Sequence, residues 1–315
     1  MTLHKGPPPP SPVREPIAEP LGAGQPDVDP QHLSAMIDAA LLALEDPANA
    51  RQTALERAPR VRMAGIPIAV ATEAEVVASI LGALRRGVGG WVATPNVDHL
   101  RRIAQDERTR ALARQADIAI ADGMPLIWFS RLAGRALPER VAGSSLVWTL
   151  AGASSITGFS TFLLGGEPGV ADRAGQVLSA EFPGLRVVGS CCPPYGFETD
   201  DAELEAIREQ LRAAQPDIVF VALGFPKQEQ LISLMRSELP SSWFLGIGAG
   251  LDFVAGQRSR APKWMQRSGL EWLHRLLLEP RRLFRRYVLQ DIPFVVPMLL
   301  RAALVGLRRR IAPAR

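Results

Sequence analysis

The chain has 315 residues, of which 47% are hydrophobic, 22% charged and 6% aromatic; this composition supports a buried core and excludes collagen-like or wholly disordered chains. Two adjacent cysteines, Cys191 and Cys192, offer no disulfide framework, and His4, His32, His99 and His274 lack zinc-ligand spacing, so a reduced compartment is expected. The net charge of +4 is uneven: from Glu271 to Arg315 ten arginines face only Glu271, Glu279 and Asp291, giving this tail +7 and the rest of the chain −3. Such a tail points to phosphate, an anionic membrane surface or nucleic acid.

In chain order, residues 1 to about 30 are rich in Pro, Gly and charge without periodicity and read as a flexible leader. Met1 to Pro12 lacks the apolar segment of about 7 to 15 residues that a signal peptide needs, so an intracellular protein is expected. A helical pattern runs from His32 to Leu44, and residues 46–60 form a link. From Val61 strand and helix signals alternate, which predicts an α/β fold with a Rossmann-like, mostly parallel sheet flanked by helices. The predicted strands are 90–93, 117–121, 161–164, 186–189, 218–223 and 243–247. Helices are predicted over 73–86, 97–115, 170–182, 201–214 and 228–238. The division is a leader over 1–60, an α/β core over 61–268 and a basic helical appendage over 269–315. Within that appendage Ile292 to Leu300 is apolar but holds two prolines and ends at Arg301. It falls short of the about 20 residues a spanning helix needs, and is expected to lie on a membrane rather than cross it.

Several enzyme classes are disfavoured because their motifs are missing. There is no GxxxxGK[ST], HExxH, CxxC or GxSxG. Asp27-Val28-Asp29, in the leader, is the sole Asp-x-Asp, so a metal-bridged diphosphate in the core is not expected. What remains lies at strand ends. Thr94-Pro95-Asn96 and Asp122-Gly123 follow predicted strands, where ligands of open parallel sheets bind, although Pro, Asn, Asp and Gly are equally ordinary turn formers. Glycine turns at 165–169 and 246–250 permit close backbone approach to phosphate or sugar, or close strand-to-helix packing. Neither completes a dinucleotide fingerprint. From Leu270 onward an amphipathic pattern directs Leu273, Leu276, Leu277, Phe284 and Val288 to one side and gathers Arg275, Arg282, Arg285 and Arg286 on a stripe. That stripe is either a solvated face or a diphosphate or anionic-lipid site.

These motifs resemble the WecG/TagA/CpsF glycosyltransferases of bacterial cell-surface polysaccharide synthesis. The matching blocks are ATPNVDHL (93–100), ADIAIADGMPLIW (116–128), LPERVAGSSL (137–146), FLLGGEPGVA (162–171), PDIVFVALGFPKQEQLI (216–232), GIGAGLDFVAG (246–256) and RAPKWMQRSGLEWLHRLLLEPRRLFRRY (260–287). The resemblance implies an inverting, metal-independent transferase that moves a sugar (N-acetylmannosamine, its uronic acid or glucose) from a UDP-sugar to a polyprenyl-diphosphate-linked saccharide. It implies no cofactor. Asp122 would be the general base, Thr94 and Asn96 would hold a sugar beside it, and Arg140 and Gln228 would complete the pocket. Asp252, with Gly248 and Gly250, would hold the nucleotide, and Arg275, Arg282 and Arg285 would stabilise the departing diphosphate. The appendage would also dock on an anionic membrane at the inner face of the cell, with Arg308, Arg309 and Arg310 reinforcing the apolar segment. Self-association is compatible with the resemblance, and no nucleic acid is expected. The alternatives are a non-catalytic membrane or nucleic-acid binding module and an NAD-dependent nucleotide-sugar enzyme.

Overall fold

The computed structural model describes residues 29–46, 54–259 and 261–311; nearly all of the flexible segment expected over residues 1 to about 30 lies outside them. The chain opens with α1 (Pro30–Glu45), capped by Asp29, and α2 (Ala54–Arg57), followed by an antiparallel hairpin of β1 (Arg60–Met63) and β2 (Ile66–Ala69). The hairpin turns at Ala64-Gly65, both with positive φ, the geometry that two-residue hairpin loops require. It was not among the predicted strands.

The core then alternates α3 (Glu73–Arg85), β3 (Gly90–Ala93), α4 (Val97–Gln105), α5 (Glu107–Ala113), β4 (Ile118–Ala119), α6 (Met124–Leu132) and α7 (Gly143–Thr157). It continues with β5 (Ser160–Gly165), α8 (Val170–Glu181), β6 (Arg186–Cys191), α9 (Asp201–Ala214), β7 (Ile218–Ala222), α10 (Lys227–Met235), β8 (Trp243–Gly246) and α11 (Gly250–Val254). All six predicted strands exist and pair in parallel in the order β4-β3-β8-β7-β5-β6. The helix expected over 97–115 is two helices. Asp106 leaves the helical region (ψ 123°) and its carboxylate accepts from the Thr109 N–H at 2.7 Å, so it starts a new helix instead of continuing the old one.

Both faces of the sheet are buried, which is why its strands read as continuous apolar runs. Along β7, Ile218, Phe220 and Ala222 enter one core while Val219 and Val221 enter the other. Along β5, Leu163 separates from Phe162 and Leu164 in the same way. Helix α1 joins the first core through Leu33, Ile37, Ala40 and Leu44, crossing α7 where Gly152 provides no side chain against Ile37.

The appendage comprises α12 (Lys263–Ser268), α13 (Glu271–Leu278), α14 (Pro280–Phe284), a π-helical turn over Arg285–Asp291 and α15 (Ile292–Ile311). Two expectations change here. The single amphipathic phase from Leu270 does not hold: Leu277 is 70% exposed already within α13, and past the break at Glu279-Pro280 Leu283 is buried while Phe284 is 52% exposed. Arg301 does not end the apolar helix, and the stretch Arg285–Leu307 is long and apolar enough to cross a membrane by length and composition.

Candidate active site

The sheet places the site beyond the carboxyl ends of its strands. β3 lies between β4 and β8, so the segments leaving the carboxyl ends of β3 and β8 are neighbours, the position where open α/β sheets bind ligands. The segment after β4 is fastened to the segment after β3, because the Asp122 N–H donates to the Pro95 carbonyl at 3.1 Å. The Val141 N–H donates to the Ala121 carbonyl at 3.0 Å, which brings Arg140 alongside. Asn96, Asp122 and Arg140 thereby converge on a cavity of about 280 Å³. Its other wall is the appendage, with Glu271, Trp272 and Arg275 of α13, then Arg286, Tyr287 and Asp291 of the π turn. Met124, Pro125 and Trp128 of α6 add an apolar flank.

Ion pairs hold that wall in place. Arg140 Nη1 donates to Glu271 Oε2 at 2.7 Å, and Glu271 Oε1 accepts from Arg275 Nη2 at 3.0 Å. Further out, Arg101 Nε donates to Asp291 Oδ1 at 2.9 Å and Arg258 Nη1 to Glu279 Oε1 at 2.8 Å. Burial works against the Arg140 cation, but Asp122, Glu271 and Glu73 around it prevail and raise its pKa above the ordinary arginine value. Asp291 is shifted up by burial despite Arg101. A carboxylate beside an ion-paired guanidinium, in a pocket with aromatic rings, is suited to taking a proton from a hydroxyl while the cation neutralises nearby negative charge.

A second group lies at the end of β8. Gly248 has φ +57°, and Asp252 follows on α11. The two glycine turns meet here: a Cβ built on Gly166 would come within 3.7 Å of Asp252 Oδ1. Burial raises the Asp252 pKa, opposed by Arg258, whose Nε lies 3.2 Å from Asp252 Oδ2. Arg258 therefore links this turn to Glu279 in the appendage.

Of the residues singled out in the sequence, Asn96, Asp122, Arg140 and Arg275 line the cavity, and Gly248, Gly250 and Asp252 form the neighbouring turn. Thr94 and Gln228 do not line it. They are 4% and 1% exposed; Thr94 Oγ1 donates to the Gly246 carbonyl at 2.7 Å, and Gln228 Oε1 accepts from the Gly248 N–H at 3.0 Å. Both fasten the strand ends from below. Arg285 is exposed and absent from the lining, while Arg286 reaches it; the Arg282 side chain lies outside what is described. Glu271, Trp128, Trp272, Tyr287 and Arg258 escaped the sequence reading, although all but Arg258 stand within matched motif blocks. Among the described residues no group of three or more His, Cys, Asp or Glu side chains is placed to hold a metal ion.

Comparisons with known proteins identify relatives of the chain. The model of the glycosyl transferase WecG/TagA/CpsF family matches residues 61–309. A relative from Bacillus spizizenii, named N-acetylglucosaminyldiphosphoundecaprenol N-acetyl-beta-D-mannosaminyltransferase, is 31% identical over 218 residues, covering 69% of this chain and 81% of its own. A Bacillus subtilis protein of the same name is 30% identical over 195 residues, covering 62% of this chain and 74% of its own.

Proposed function

Since the chain belongs to the WecG/TagA/CpsF family of glycosyl transferases, we propose that it moves an N-acetylmannosamine-type sugar from a UDP-sugar to a saccharide carried on a polyprenyl diphosphate. The names of the two relatives support that donor sugar and that acceptor class. The observation that carries the mechanism is Asp122, locked by its own backbone to Pro95 and facing a cavity that the appendage half covers. Asp122 removes the proton from the acceptor hydroxyl, and the freed oxygen attacks the anomeric carbon as the bond to the UDP oxygen breaks. One base on one face gives inversion. The leaving diphosphate meets arginines, with Arg140, Arg275 and Arg286 on the cavity wall and Arg258 beside Asp252, and the scheme requires no metal. Family membership makes the chain a glycosyltransferase, so the non-catalytic and NAD-dependent alternatives fall away.

A polyprenyl-linked acceptor requires approach to a bilayer. Helix α15 supports this with an outward stripe of Ile292, Val296, Leu300, Leu304 and Leu307, 42% to 62% exposed. Its opposite side is occupied: Ala302 is 2% exposed, and Gly306 sits against the Leu132 carbonyl of α6. A helix fastened to α6 through its Ala302–Gly306 side suits docking in the membrane plane better than spanning.

The test is UDP release in EDTA from a panel of UDP-sugars, with and without a polyprenyl-diphosphate-linked N-acetylglucosamine acceptor, beside Asp122→Asn. Acceptor-dependent release that falls about 10²- to 10⁴-fold in the variant is expected. Release unchanged in Asp122→Asn would reject the base, and loss in EDTA reversed by added divalent cation would reject the metal-free scheme.

A further inference from the structure

Beneath the Gly248 turn lies a carboxyl group that the mechanism above does not use. Glu229, in the first turn of α10, is 3% exposed. Its Oε1 accepts from Gln228 Nε2 at 2.8 Å, and its Oε2 has no hydrogen-bond partner among the described residues. Gln228 spends its other end on the turn, since Oε1 accepts from the Gly248 N–H at 3.0 Å. The two side chains reach the end of β8 because Gly246 leaves room: a Cβ there would lie 2.7 Å from Gln228 Nε2 and 3.5 Å from Glu229 Oε1. The Gly246 carbonyl in turn accepts from Thr94 Oγ1. A buried polar bridge thus runs from α10 to both strand-end segments of the site.

A primary amide has a donor end and an acceptor end of nearly the same shape, and its neighbours decide which way it faces. At Gly248 only the oxygen of Gln228 will serve, because the backbone N–H is a donor. A flipped amide would set N–H against N–H and leave two buried donors unsatisfied. Glu229 Oε1 is an acceptor in either protonation state, so it selects the productive orientation. Burial pushes the Glu229 carboxyl up to about 7, against the Gln228 hydrogen bond and the pull of Arg102, so burial favours the uncharged form at this position.

We propose that Glu229 is a positioning residue for the donor: it fixes the Gln228 amide and, through it, the turn that presents Asp252. This rests on the reading that the UDP-sugar binds at that turn. The experiment follows amide exchange of Gly248 and the Kd for UDP in the full-length protein, Glu229→Gln and Glu229→Leu. Glu229→Gln retains an oxygen for Gln228 Nε2 and is expected to exchange at the wild-type rate. Glu229→Leu removes the acceptor and is expected to speed Gly248 exchange and weaken UDP binding about tenfold, the scale of one lost buried hydrogen bond, with exchange in β5 and β7 unchanged. If Glu229→Leu does not fold, Gln228→Met breaks the same bridge from its other end and must give the same profile. Unchanged Gly248 exchange in the variant that folds overturns the proposal, as does faster exchange with undiminished UDP affinity. Wild-type protein that binds no UDP would instead remove the donor-site reading, and the exchange comparison would still decide whether Glu229 holds the turn.

Discussion

Removing the charge of Glu271 tests how the appendage is held over the cavity. Glu271 bridges Arg140 of the core at 2.7 Å and Arg275 of its own helix at 3.0 Å. The Arg140 pair is largely shielded, with side chains 18% and 13% exposed, whereas Arg275 is 41% exposed. A shielded charge-assisted hydrogen bond contributes about 1.5 to 3 kcal/mol and an exposed helical pair about 0.3 to 0.5 kcal/mol. In Glu271→Gln the amide oxygen keeps part of the contact, so the expected loss is about 2 kcal/mol, a roughly 30-fold rise in the open population of the appendage. The pairs Arg101–Asp291 and Arg258–Glu279 remain, so the appendage loosens but is not released. Limited trypsin digestion at low protease reads this directly, because cleavage of a transiently open segment follows its opening equilibrium. Arg140→Met and the double variant complete a cycle in which the pair should couple by about 2 kcal/mol. Cleavage of Glu271→Gln at the wild-type rate, or strict additivity in the double variant, would refute the clamp.

Three further outcomes are expected. Glu229 holds its proton to about pH 7 in the folded state against the ordinary 4.5, so between these values the native protein binds more protons than the unfolded chain. Stability should therefore fall as pH rises through that window, by up to about 3 kcal/mol, and Glu229→Gln should abolish this fall; urea melts giving parallel pH curves for both proteins would contradict it. Replacing Leu300 and Leu304, 62% and 59% exposed, by Asp should lower sedimentation with anionic vesicles at least about tenfold while leaving the melting temperature within a degree or two. Undiminished vesicle binding would show that α15 is not the docking face. Ile37→Ala should cost about 2 to 4 kcal/mol, because Ile37 is 7% exposed and packs on Gly152; a loss under about 1 kcal/mol would mean that α1 is not part of the cooperative core.

Much of the site was legible because its determinants are local. The strands announce themselves by apolar runs ending in turn formers, and a polar segment after a parallel strand has only one end of the sheet to occupy, so Asn96 and Asp122 had to face the same side. Arg275 sits early in the appendage, before its helical phase is disturbed, and reaches the cavity as the spacing implies. Arg285 does not, and the reason is geometric. The spacing gathers Arg285 and Arg286 on one stripe and the resemblance carries over only Arg285, whereas past the break at Glu279-Pro280, in the π-helical turn over Arg285–Asp291, it is Arg286 that lines the cavity. The hairpin carried a signal, Ala64-Gly65 between RVRM and IPIA, that strand counting passed over.

The sequence by itself determined the alternation of strand and helix, the buried character of both sheet faces and the chemical types gathered at the strand ends, since each depends on residues within one or two turns. Only the tertiary structure decided that Thr94 and Gln228 are braces instead of pocket walls, that Glu271 binds Arg140 from 131 positions away and that Glu229 lies beneath the Gly248 turn. Which hydrogen-bonding atoms remain free for a substrate depends on partners brought together by the sheet order, and no local spacing encodes that.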